Sequence, residues 1–373
     1  MSHPLSEMFR QQARTILTVS PLSATLLTAA ADDLDQDGPT AAVMAASAHD
    51  PHFSVPPLRW LGALHRLVRE GRAPELAAHY PSVGGTDPVR TAWPAARAVL
   101  HEHRHTLADY VLLPVQTNEV GRCAVLLGGL LVVGQRVRLP IRLLEIGASA
   151  GLAMNFDRYA YLIDARVLGD SDSGCRLDRP WRGYPPADPS FPLHITDRRG
   201  CDPRPVDGTT AEGRLTMMSY VWADWIERLD RLRAALAIVA EHPVEVERSR
   251  AGSWLAQQLS WPRPGVVTVL WHSMVWQYID RVEQTEIEDL IAAAGARATA
   301  TAPLAVLGFE NVAPPRRPGR FELSLTTWPG GQQEKLATAA AHGIPTTWAT
   351  PWPRRSARTA WTGGSIGRST MCS

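Results

Sequence analysis

Lysine is almost missing from this chain. Lys335 is the single lysine among 38 basic residues, the rest being arginine, a bias that reads as genome composition rather than function. Charge of one sign is not in excess either. The formal net charge is +1, so no global field draws the chain to nucleic acid or to a membrane surface. Cysteine is scarce: Cys123, Cys175, Cys201 and Cys372 stand apart, with no Cys-x-x-Cys pair. That spacing argues against a zinc site and for a reducing compartment. Long apolar runs are also lacking. The longest, Cys123 to Gly134, falls short of the about 20 residues that a spanning helix needs. Arg10 and Arg14 before an apolar stretch ending at Ala31 imitate a secretory leader. Glu7 lies in its basic part and Ser20-Pro21 breaks its apolar part, so a cytoplasmic protein is expected.

What is present is apolar material in quantity. The chain has 373 residues, 45% of them hydrophobic, enough for one large domain or two smaller ones. The stretch Arg142 to Leu152 organises the rest. Leu143, Leu144 and Ile146 suit a strand covered on both faces. Gly147, Ala148, Ser149, Ala150 and Gly151 form a turn with almost no side-chain bulk, and Leu152 to Tyr161 reads as the helix that follows. Such a turn lets backbone N–H groups approach a ligand. Glu145 stands at the strand's C-terminal end, where open α/β sheets bind ligands.

Residues 1–140 read as helical. Ser20-Pro21 separates two early helices, and Leu58, Leu61, Leu64 and Leu67 mark an amphipathic face. Another helix is expected over Val89–His105. Its His101, His103 and His105 are spaced by two, which scatters them around a helix, so they are expected to be solvated rather than metal ligands. Gln116, Thr117, Asn118, Glu119 and Arg122 form a polar cluster between apolar stretches. It must face solvent or satisfy its groups internally, either as a capping loop or as a lid over the glycine turn.

From 141 strands alternate with helices. Strands are expected at Arg142–Ile146, Leu193–Thr196, Val244–Arg248, Val266–Trp271, Leu304–Glu310, Phe321–Trp328 and Thr346–Trp348. The stretch Gly169–Pro192 reads as a loop, Pro314–Gly319 as a turn and Glu334–Ala341 as a helix. Residues 351–373 lack an apolar stripe and are expected to be a disordered tail. The reading is therefore α/β: a helical region over 1–140, then a mostly parallel Rossmann-like sheet over 141–350.

The pattern Glu145-x-Gly147-x-Ser149-x-Gly151 is similar to the first motif of Rossmann-like methyltransferases, which holds S-adenosylmethionine. Ser149 stands where a middle glycine is usual. Gly147-x-Ser149-x-Gly151 also matches the nucleophile elbow of an α/β-hydrolase, with Ser149 as nucleophile and His342 as the late base. A third possibility is that the small residues only allow close packing.

On Ser20-Pro21-Leu22, Gln116 to Arg122, Glu145 to Leu152, Arg199 to Pro203, His272 to Tyr278 and Trp328 to Gly331, the chain resembles a bacterial family common in actinobacteria, domain of unknown function 2332. The resemblance spans about residues 5–348. It implies a methyltransferase-like Rossmann core and no established activity. Family members tend to carry Asn where Ala153 stands, and Asp where Arg250 stands. The leading expectation is methyl transfer from S-adenosylmethionine to a small molecule, with no nucleic acid, membrane or metal partner. Glu145, Gly147, Ser149 and Gly151 would line the cofactor turn, and Asp202 or Asp164 would hold the ribose. His272, as a base, would face the acceptor with Trp276 and Tyr278, under a lid of Gln116, Asn118, Glu119 and Arg122. The alternatives are the esterase-like hydrolase and a non-catalytic binding protein of Rossmann shape.

Overall fold

Prolines set the helix starts in the N-terminal region. In the computed structural model, which describes residues 3–50, 54–313 and 319–350, Pro21, Pro39, Pro56 and Pro74 each open a helix. The N–H that proline lacks has no intrahelical partner there in any case. Ser20 caps the helix Pro21–Asp35, its side chain accepting from Ser23 N. Helices Ser6–Ile16, Pro21–Asp35, Pro56–Arg69 and Ala92–Glu102 bury their apolar faces in one cluster that includes Phe9, Trp60, Leu64 and Leu100. Phe9 meets Trp60 edge to face at 5.8 Å. The helix expected over Val89–His105 breaks at His103, whose Nε2 lies 3.0 Å from Arg72 O, and restarts as Arg104–Tyr110.

The strands follow in order: β1 (Ile141–Ile146), β2 (Ala160–Ile163), β3 (Arg166–Gly169), β4 (Arg176–Asp178), β5 (Trp181–Arg182) and β6 (Ile195–Asp202). After them come β7 (Glu245–Arg248), β8 (Val267–Ser273), β9 (Leu304–Asn311), β10 (Phe321–Trp328), β11 (Gln332–Ala339) and β12 (Thr346–Trp348). Nine form one sheet of order β5-β12-β11-β10-β9-β8-β1-β6-β7, and β3-β2-β4 form a small second sheet. The five strands β7-β6-β1-β8-β9 run parallel. Chain progress reverses at β1: β6 and β7 stack outward on one side, β8 and β9 on the other. The C-terminal ends of β1 and β8 therefore flank a topological switch point, where an open sheet leaves a crevice.

β1 is buried along its whole length, as its apolar run requires. Leu143, Val269 and Trp271 pack toward the helix Cys123–Val137, while Leu144, Ile146 and Leu270 join the cluster of helices Ala251–Gln258 and Arg281–Arg297. A window over Val120–Val137 is long and apolar enough to cross a membrane, but 78% of it is buried inside the protein. A helix apolar all round fits a core position.

All of the expected strands lie in the large sheet. Four expectations are corrected. Leu152–Tyr161 is not an α-helix but a kinked 3-10 segment, Leu152–Arg158, running into β2. The Tyr159 and Tyr161 hydroxyls donate to Leu152 O and Phe156 O at 2.6 and 2.7 Å, tying the segment into a compact knot. Glu334–Ala341 is not a helix. The Trp328–Gly331 turn, with Gly330 and Gly331 at positive φ, returns the chain antiparallel along β10 as β11, and cross-strand pairing overrides local propensity. The loop Gly169–Pro192 contains β4 and β5. The expected Leu193–Thr196 strand starts later, at Ile195, and runs on to Asp202, so Arg199–Asp202 lie within it. The expected turn at 314–318 and tail at 351–373 fall outside the described residues.

Candidate functional site

The turn after β1 closes tightly, Gly151 N donating to Ala148 O at 2.7 Å. Gly147, Ser149 and Gly151 all have positive φ, of 69°, 53° and 72°. That region is natural for glycine and strained for Ser149, so Ser149 is held in place. Its N–H donates to Asp202 Oδ2 at 3.0 Å, and its carbonyl accepts from Val206 N at 3.1 Å. Its hydroxyl donates to Gln116 Oε1. Asn118 Nδ2 donates to Ala148 O, and Ala148 N donates to Cys201 O. The turn is thus strapped to β6 below and to the polar cluster above.

That cluster roofs a cavity of about 500 Å³ over the ends of β1, β6 and β8, a volume typical of small-molecule sites. Glu145, Gly147, Ser149, Asp202, Gln116, Asn118, Glu119, Arg122 and Tyr278 all line it. Glu145 is 4% exposed, and its Oε2 has no hydrogen-bond partner. Burial pushes its carboxyl well above the usual range, and the Asp202 charge adds to this; Arg122 opposes it. The Trp271 indole, in register on β8, leans the same way as Arg122 without completing a hydrogen bond of good geometry. Burial also raises Asp202, against N–H bonds from Arg204 and Ser149.

Glu119 lies in the opposite situation. Burial alone would raise its carboxyl, but Arg228 and His342 bring it well below the usual carboxylate range. Its oxygens meet Arg228 Nε, His342 Nδ1 at 3.1 Å and the Gly121 N–H at 2.9 Å. Glu119 is the anchor that joins the roof to helix Ile226–Glu241 and to the β11–β12 loop. Arg122 donates to Ala341 O at 3.0 Å and to Ser273 O at 3.4 Å. It forms no ion pair among the described residues, and burial lowers its pKa.

Four expected site residues lie elsewhere. Gly151 faces Met154 and Val246, which a Cβ there would approach to 3.3 and 3.2 Å, so it serves packing rather than ligand approach. Asp164 sits exposed in the β2–β3 turn, accepting from the Tyr184 hydroxyl at 3.4 Å. Asp202 is the acid at the cavity. His272 alternates to the face opposite Trp271 and Ser273, where Nδ1 contacts Glu310 Oε1 at 2.8 Å. Trp276 lies over it, 5.4 Å between ring centres, and neither lines the cavity. No histidine hydrogen-bonds the Ser149 hydroxyl among the described residues: His342 is held by Glu119 and His272 by Glu310. Nor does any group of three or more His, Cys, Asp or Glu stand ready for a metal among them.

The cavity also takes in Arg59, Cys201, Arg204, Ala251, Met274, Val275, Ile279 and Glu283. Arg59 comes from the N-terminal helices, far away in sequence, and no periodicity announces it. Glu283 accepts from Gly252 N at 3.1 Å and pairs with Arg250 at 2.8 Å. Arg250 is thereby tied to the cavity wall.

A family model described as an uncharacterised protein conserved in bacteria, domain of unknown function 2332, matches residues 6–348. No curated protein and no solved structure matches the chain.

Proposed function

The chain belongs to this family of uncharacterised bacterial proteins, and on that premise we propose that it is an S-adenosylmethionine-dependent methyltransferase acting on a small molecule. The observation that carries the reading is Glu145 Oε2: a buried carboxyl oxygen without a hydrogen-bond partner, in a cavity at the sheet's switch point. A buried acceptor left unpaired is costly. An ammonium or another cationic donor on a ligand removes that cost.

The residues present fit the cofactor. Glu145 would accept from its ammonium group. Asp202 uses each carboxylate oxygen once, on Ser149 N and Arg204 N, and the remaining lone pairs can accept ribose hydroxyls. Ala251, Val275 and Ile279 offer apolar wall for a flat base. The parallel strand order β7-β6-β1-β8-β9 supports the same reading, because it matches five strands of the doubly wound nucleotide-binding order. Bound there, the cofactor supplies an activated methyl group on a sulfonium. The protein contributes proximity, orientation and exclusion of water, with Tyr278, Asn118 and Arg122 on the acceptor side. A cavity of about 500 Å³ and a net charge of +1 favour a small acceptor over nucleic acid or membrane, in a cytoplasmic setting.

The test is calorimetric titration with S-adenosylhomocysteine. Saturable binding that is lost in Glu145→Gln, with the variant still folded, supports the proposal. Absence of binding at millimolar ligand, or full affinity in folded Glu145→Gln, overturns it.

A further inference from the structure

Two ionisable side chains at the cavity keep hydrogen-bonding capacity that the protein does not use. Glu145 offers an oxygen with no partner. Arg122, which lines the same cavity, spends two donors on the carbonyls of Ala341 and Ser273 and has no carboxylate within 4.0 Å among the described residues. Both line the same cavity, and the Arg122 charge lowers the Glu145 carboxyl. They are nevertheless not an ion pair. Of the other charged groups at the wall, Glu119 is paired with Arg228, Arg59 with Asp50 and Glu283 with Arg250, Asp202 accepts from two backbone N–H groups, and Arg204 is exposed.

A ligand closing this cavity removes water from the Arg122 charge and from the Glu145 carboxyl, which burial favours in its neutral form until a cationic group arrives. A neutral ligand leaves both unpaired. A purely cationic one serves Glu145 and strands Arg122, and a purely anionic one does the reverse. Stranding a desolvated charge, or a buried polar group without a partner, is unfavourable. The group that serves both carries an ammonium and a carboxylate a short distance apart.

We propose that Glu145 and Arg122 clamp the α-amino-acid end of the cavity's ligand, Glu145 accepting from its ammonium and Arg122 donating to its carboxylate. This rests on the reading of the cavity as the ligand site, but not on methyl transfer. It makes the zwitterion, rather than the nucleoside, the main source of selectivity. Each charge-assisted contact is worth about tenfold to over a hundredfold in affinity.

The experiment compares three probes by calorimetry on the full-length protein: S-adenosylhomocysteine, 5′-methylthioadenosine, which lacks the amino-acid end, and L-methionine, which lacks the nucleoside. Glu145→Gln and Arg122→Gln are titrated alongside, with melting curves to establish folding. If Arg122→Gln fails to fold, Glu145→Gln, which keeps the side-chain shape, decides alone. The expected result is that S-adenosylhomocysteine binds at least about a hundredfold tighter than 5′-methylthioadenosine, and that each folded variant shrinks this ratio to a few-fold. Equal affinity of the two nucleosides for the unaltered protein overturns the clamp and leaves the cofactor reading standing. Binding of L-methionine alone, lost in Glu145→Gln, supports the clamp and overturns the cofactor reading. No binding by any probe overturns both.

Discussion

Glu145 weakens the ligand-free protein. Its pKa is raised on folding by burial, so between the ordinary value of 4.5 and the raised one the folded state holds a proton that the unfolded state has released. Stability is therefore lost as pH rises through that window, with a slope approaching about 1.4 kcal/mol per pH unit. Glu145→Gln is expected to melt higher than the unaltered protein at neutral pH, with the difference shrinking toward pH 4.5; thermal melts across pH check it. A higher-melting variant that no longer binds ligand is the signature of a residue kept for function. Gly147 is constrained differently. A Cβ there would come within 2.4 Å of Val275 Cγ2, at a φ of 69°. Gly147→Ala is expected to lose about 1–3 kcal/mol in urea denaturation. Much at this scale was legible: the strand end, the glycine turn, Asp202 and the polar cluster all meet at the cavity. His272 and Trp276 were misplaced because the side of the sheet they face depends on where β8 enters the sheet, which composition alone does not state.

At the scale of elements, the roof over the cavity has little regular structure of its own and depends on its anchors. Glu119 is the central one, its side chain 1% exposed between Arg228 and His342. Glu119→Gln leaves a buried Arg228 without its counter-charge and is expected to cost about 3–5 kcal/mol. Hydrogen exchange should show the roof, 112–122, opening first. The carboxyl is depressed on folding, so its contribution is complete above the ordinary value of 4.5 and is lost as pH falls toward the folded value. Acid unfolding of Glu119→Gln should accordingly be shallower below pH 4.5. The elements that sequence misjudged are those whose partners decide them. β11 carries helix-favouring residues but lies beside β10, and the segment after Gly151 is knotted by two tyrosine hydroxyls. β1 and β8, by contrast, were legible because an apolar run buried on both faces has few other places to go.

At the scale of the whole molecule, two cores meet along 219–225. Ala223 belongs to the N-terminal cluster, and Asp224 accepts from Leu22 N at 2.9 Å at the start of helix Pro21–Asp35. His65 completes the join, with Nδ1 donating to Val221 O at 2.9 Å and Nε2 accepting from Ser82 Oγ at 2.8 Å. Burial, helped by Arg69, pulls its pKa from 6.5 to about 3. This stabilisation is complete above pH 6.5 and is lost as pH falls toward 3, at up to about 1.4 kcal/mol per pH unit. Proteolysis of residues 5–111 should accelerate between pH 6 and pH 4, ahead of the sheet, and His65→Gln should flatten that dependence.

The central claim is that the cavity under Gln116–Arg122 holds S-adenosylmethionine by its charged end. A crystal structure of the protein grown with S-adenosylhomocysteine tests it most directly. The account requires ligand density in that cavity, with an ammonium against Glu145 and a ribose beside Asp202. Ligand density at any other place, or an empty cavity in crystals grown at saturating ligand, contradicts it.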